Sequence, residues 1–135
     1  PYSLRQNNQH YLAEPQGDEH GDHGDIRLPL RVDIDDRPRN IVDPVHGKDA
    51  HTEWQVLERS ATQSRVRFVP HTGRSHQLRV HASHPDGLDA PIVGDRLYAR
   101  TAPEDDARLL LHAERLAFVH PVTGVRVDVE ALAPF

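Results

Sequence analysis

"SRVRFVPHTGRSHQLRVHASHPDG", residues 64–87, changes its hydrophobic period part-way along. From Ser64 to Val69, Val66 and Phe68 alternate with Arg65 and Arg67, the period of two that a strand with one buried face requires. Beyond Gly73 and Ser75, "SHQLRVHASH" meets no breaker until Pro85 and Gly87. Leu78 and Ala82 fall at i and i+4, on one face of a helix, while His76, Arg79 and Ser83 fall on another. A strand that feeds a helix through a short turn predicts an α+β fold.

Strand signals dominate on either side. "VRVDVEA" (125–131) alternates three valines and Ala131 with Arg126, Asp128 and Glu130. Upstream, an apolar run ends at Pro121 and Gly124, so Leu111–Val119 and Val125–Ala131 read as a hairpin. "TEWQVLE" (52–58), with Trp54 and Val56 on one face, is the expected partner of residues 64–69. "IRLPLRVDI" (26–34) is strand-like but carries Pro29, which suits an edge or a bulge. A second short helix is expected from Pro103 to Leu109, and "QGDEHGDHGD" (16–25) reads as an acidic His/Gly-rich loop. The expected architecture is a single α+β domain over residues 1–135, with a mixed, mainly antiparallel β-sheet and a few flanking helices.

At 135 residues the chain can bury one real core. Cysteine is absent, which excludes a disulfide framework and a thiolate metal site. No apolar run is long enough to span a membrane, and a cytoplasmic protein without membrane association is expected. The chain contains no methionine and opens on Pro1, so it is expected to be part of a longer protein. Net charge is −5 but uneven. Glu14 to Asp36 carries eight acids against Arg27 and Arg31, whereas Arg65 to His84 carries four arginines, four histidines and no acid. Screening over about 8–10 Å lets an acidic protein present such a local basic surface to phosphate.

His20 and His23, with carboxylates nearby, could be considered for a metal, but the intervening glycines loosen the loop and no metal site is expected. His76 and His81 lie five apart, off the i, i+4 face of a helical zinc pair. His112 is expected to bond a backbone carbonyl in a sheet. Ser75 and His76 are sequence neighbours that point apart, so they make no nucleophilic dyad. Arg74, His76, Gln77 and Arg79 around a helix start offer guanidinium forks and backbone amides, an expected anion site. Pro91 and Gly94 frame Ile92 and Val93 in a shaped loop that could line a pocket for a flat base.

"TGRSHQLRVH" (72–81), "PIVGDRLYA" (91–99), "LLLHAERLAFVHPVTG" (109–124) and "EALAPF" (130–135) resemble the C-terminal half of the RluA-type pseudouridine synthases. "QHYLAE", "LPLRVD", "RPRNIV" and "GKDAHTEWQVLE" resemble the same family in order and spacing, so the likeness runs from about Gln9 to Phe135. The resemblance implies an antiparallel-rich sheet crossed by an RNA cleft and a uridine flipped out of its helix. It implies isomerisation of uridine to pseudouridine in structured rRNA or tRNA, without a cofactor. It also implies roles. Tyr11 would stack on the target base and accept a proton from it. Arg79 would pair with the catalytic aspartate, and Leu78 would pack beside it. Arg74, His76 and Gln77 would form the RNA- and pocket-facing part of the motif, and Ile92 and Val93 would wall the base pocket.

In the family the nucleophilic aspartate follows Arg-Leu in an HRLD-type motif. Here Arg-Leu occurs four times and is followed by Pro29, Tyr98, Leu110 and Ala117. Asp95 in "GDRLY" stands at a different place in the pattern. The 135 residues are therefore expected to be inactive alone, with Arg79 turned to water, an anion or another chain, and with open sheet edges able to self-associate. The alternative expectation is a non-catalytic RNA-binding module of the same fold.

Overall fold

The computed structural model describes residues 8–13, 21–104 and 107–135, the first stretch by its backbone. In chain order the elements are β1 (Asn8–Ala13), β2 (His23–Arg27), β3 (Leu30–Val32), β4 (Asn40–Val42), β5 (His51–Arg59), β6 (Ser64–Pro70), α1 (Gln77–Ser83), β7 (Leu111–Val119) and β8 (Arg126–Glu130). Six strands form one sheet in the order β2-β5-β6-β1-β7-β8, and β3 pairs with β4 in a second. Every pairing among these described strands is antiparallel.

The period-two pattern of residues 64–69 translates directly into this sheet. In the β5–β6 register Trp54 faces Phe68 and Val56 faces Val66, which collects the apolar side chains on one side. Helix α1 lies over that side. Its Leu78 and Ala82 join Ile26, Trp54, Val66 and Phe68 in the main core, together with Leu88, Ala90 and Ile92 from the following loop. Full burial of a side chain such as Phe68 or Ile92 stabilises by about 1.5–3 kcal/mol. The loop is tied back to the helix, with Leu88 N donating to His81 O at 2.9 Å and Ala90 N to Ala82 O at 2.8 Å. A smaller cluster of Leu30, Ala50 and Val80, packed against Val42 and Tyr98, joins α1 to the two-stranded sheet.

The expected hairpin is present as β7 and β8, and His112 in it bonds the carbonyl of Ala131 at 2.9 Å. "IRLPLRVDI" is not one strand. Pro29 has no N–H to donate, and the chain divides there into β2 and β3, which enter different sheets. The acidic loop is shorter than expected, because His23–Asp25 pair with Glu53–Gln55 as part of β2, while 16–20 lie outside the described residues. No helix forms at Pro103–Leu109 among the described residues. There Leu110 N donates to Val93 O at 2.9 Å, and the backbone of Arg108 crosses directly against Gly94. A Cβ at position 94 would stand 1.9 Å from Arg108 O, and φ is +81° there, so glycine is required on both counts. No helix among the described residues is long and apolar enough to cross a membrane.

Candidate nucleic-acid interface

The helix begins two residues later than its sequence reads. Gln77 is its first residue, and His76 before it has φ 55°, a left-handed conformation that costs a non-glycine residue on the order of 1 kcal/mol or more. The side chain of Gln77 stitches the preceding turn. Its Oε1 accepts from the Thr72 hydroxyl at 2.7 Å and from Arg74 N at 3.1 Å. Its Nε2 donates to His51 O at 3.0 Å and to Thr52 Oγ1 at 2.9 Å. That is the full hydrogen-bonding capacity of a primary amide.

The Thr52 hydroxyl in turn meets His81 Nδ1 at 2.8 Å, and His81 Nε2 lies 3.0 Å from Leu28 O. A carbonyl can only accept, so Nε2 carries the proton and Nδ1 accepts from Thr52. Burial holds the His81 ring below the usual histidine range and therefore neutral. This network corrects one expectation. Gln77 is 4% exposed and faces the interior rather than RNA. At the helix start one amide is already engaged, with Gln77 N donating to Arg74 O at 3.1 Å.

Arg79 overturns another expectation, because its guanidinium is not left without a carboxylate. Nε and Nη2 form a two-pronged bond with Asp95, at 3.0 Å to Oδ2 and 2.7 Å to Oδ1. Asp95 is fully buried, and its Oδ1 also accepts from Leu97 N and Tyr98 N at 3.0 and 3.1 Å. Donating to Asp95 raises the Arg79 pKa above its ordinary value. Both carboxylate oxygens are hydrogen-bonded, which a buried charge requires. The Arg79 side chain keeps 18% of its surface open.

The ring of Tyr98 packs against the same guanidinium, 5.3 Å from Cζ to the ring centre. Its hydroxyl accepts from Asn40 N at 2.9 Å and lies 2.7 Å from His76 Nδ1. The two rings meet edge to face at 5.6 Å. Burial, with Arg79 adding to it, lowers the His76 pKa, and burial raises that of Tyr98. A half-buried neutral His76, a partly open Arg79 and an exposed Arg74 therefore stand along one segment. Arg74 Nε donates to Asp49 O at 2.9 Å, which orients its head.

Of the remaining expected residues, Leu78 and Ile92 are buried in the main core, at 7% and 1% exposure, and act there as packing. Val93 is half-buried. Tyr11 enters the sheet in β1 with its Cα opposite Phe68 and Ala113, and its side chain lies outside the described residues. Asp95 and Tyr98 are what reasoning from the sequence missed. The available signal was "GDRLY" itself, an aspartate positioned to accept from the amides two and three residues later. Among the described residues no group of three or more His, Asp or Glu is arranged to hold a metal ion.

The sequence model of the family described as RNA pseudouridylate synthase matches residues 3–84. The chain belongs to that family. It is 41% identical to the dual-specificity RNA pseudouridine synthase RluA of Haemophilus influenzae, over 97% of this chain and 59% of the relative. To the RluA of Escherichia coli K12 it is 43% identical with the same coverage. Among solved structures, human RNA pseudouridylate synthase domain containing 1 superposes with a TM-score of 0.81 at 31% identity, covering 97% of this chain and 56% of that one. The chain thus spans somewhat over half the length of its pseudouridylate synthase relatives.

Proposed function

We propose that this chain forms the C-terminal part of an RNA pseudouridine synthase, isomerising uridine to pseudouridine in a structured rRNA or tRNA stem-loop in the cytoplasm without a cofactor. The supporting observation is the fixed guanidinium of Arg79, partly open and sharing the Tyr98 ring with a neutral imidazole in a chain of this family. The reaction breaks the bond from ribose C1′ to uracil N1, turns the base and joins C5 to C1′; C5 loses its proton and N1 takes one up, so the product is an isomer. Arg79 would hold the nucleophilic carboxylate ionised, since a cation at contact distance favours the charged form. Tyr11 would accept the departing proton, Arg74 and His76 would meet RNA, and Val93 would border the base. The buried Gln77, Leu78 and Ile92 would support that surface from beneath. The outer strands β2 and β8 would provide edges for self-association.

The test is binding of rRNA and tRNA stem-loops over a range of salt, with tritium release from 5-tritiated uridine. The chain is expected to bind with a salt-dependent affinity, and Arg74→Ala to lower the slope of log K against log salt by about 1. No saturable binding to either RNA would sink the reading. Because no Arg-Leu in the sequence is followed by aspartate, the 135 residues alone are expected to release no tritium. Release would overturn the assignment of the nucleophile.

A further inference from the structure

We propose that Tyr98 is a positioning residue, which holds His76 in a single tautomer and presents its Nε2–H to RNA. The inference rests on the RNA-modifying reading and adds a residue to it. The hydroxyl of Tyr98 has one hydrogen to donate, and the backbone and side chain of Asn40 and the His76 ring stand against it. Asn40 N is a donor, so the oxygen accepts from it at 2.9 Å, and the hydroxyl hydrogen is free to point at His76 Nδ1, 2.7 Å away. With Nδ1 occupied as an acceptor, a neutral His76 must carry its proton on Nε2. The surroundings hold it neutral, because burial and the adjacent Arg79 cation both disfavour a second positive charge.

Two further observations indicate that this placement is imposed rather than incidental. His76 adopts φ 55° although it carries a full side chain, and a glycine or asparagine would occupy that conformation with less strain. The ring of Tyr98 simultaneously backs Arg79, whose other side is fixed by Asp95. One tyrosine therefore orients both a neutral donor and a cation. A neutral N–H recognises an oxygen acceptor without attracting the indiscriminate phosphate binding that an imidazolium would add. Tyr98 itself need not touch RNA.

Tyr98→Phe separates the two roles, since the phenyl ring stays beneath Arg79 and only the hydroxyl is lost. Imidazole nitrogen NMR on the chain is expected to show His76 as the Nε2–H tautomer in the wild type and as a tautomer mixture in Tyr98→Phe. Binding of an RNA stem-loop is expected to weaken about fivefold to tenfold, the worth of one well-placed hydrogen bond. His76→Asn, which tolerates the left-handed backbone, should weaken binding similarly and make the further change Tyr98→Phe silent. If Tyr98→Phe proves too unstable to assay, His76→Gln decides instead. It removes the ring that Tyr98 orients, and unaltered RNA affinity would overturn the proposal. An unchanged tautomer in Tyr98→Phe, or a mixed tautomer with wild-type affinity, would also overturn it. A wild-type chain that binds no RNA at all would remove the proposed function first, and the positioning role with it.

Discussion

Two polar networks are built on the seven residues of α1 and its approach, and they end differently. In the first, Thr72, Gln77, Thr52, His81 and Leu28 O form a chain in which each donor meets an acceptor. In the second, Asp95, Arg79, Tyr98, Asn40 and His76 are equally well joined at one end, but the Arg79 side chain and His76 remain partly open at the other. Both stem from "HQLRVH", where residues 77 and 81 face inward and 76 and 79 do not. A network closed on itself contributes to stability, whereas one with remaining donors at the surface can also bind. Alternation around a short helix is enough to assign neighbouring residues to the two tasks.

The contrast breaks most severely at Arg79. Arg79→Ala leaves Asp95 buried and charged without its partner, which is expected to destabilise by about 3–5 kcal/mol. Chemical denaturation would measure that loss. Arg79→Ala/Asp95→Asn should recover much of the stability while RNA binding stays impaired. Recovery of both would show the pair to be purely structural.

Gln77→Ala sharpens the contrast from the closed side. It leaves buried groups of Thr52, Thr72 and His51 short of a partner, at an expected cost of about 1–3 kcal/mol. RNA affinity measured well below the melting temperature should be little changed. A large fall in affinity with unaltered stability would place Gln77 at the ligand after all.

The smallest effect is on pH. His81 and His76 both have folded pKa values lowered by burial, so the unfolded chain binds more protons in the window beneath the ordinary histidine value of 6.5. Their contribution is complete above about pH 6.5 and is lost progressively as pH falls below it. Melting temperature followed from pH 7.5 to 5 should decline, and His81→Gln should flatten the decline. A decline unaffected at position 81 would mean that other groups are responsible.

The residues that set the sheet were legible because a strand's pattern is local. Val66 and Phe68 alternate with arginines whatever the chain does elsewhere, and the antiparallel register then places them opposite Val56 and Trp54. The β7–β8 hairpin and the carbonyl partner of His112 followed from the same reasoning. The helix start was misread because Gly73 and Ser75 look like a cap, while the actual organiser is a glutamine side chain reaching to β5. The single reading of residues 26–34 failed at Pro29, since the pattern on either side is strand-like and only the destination sheet differs.

By itself the sequence determined the α+β class, the basic segment around Arg74 and Arg79, and the family likeness, because hydrophobic period, charge and motif order are carried by neighbours along the chain. Only the tertiary structure decided that Arg79 belongs with Asp95 and Tyr98, sixteen and nineteen residues downstream, and that Gln77 belongs to the interior. Those assignments depend on a loop folding back over a helix, and a buried charge or amide takes whichever partner that fold brings within reach.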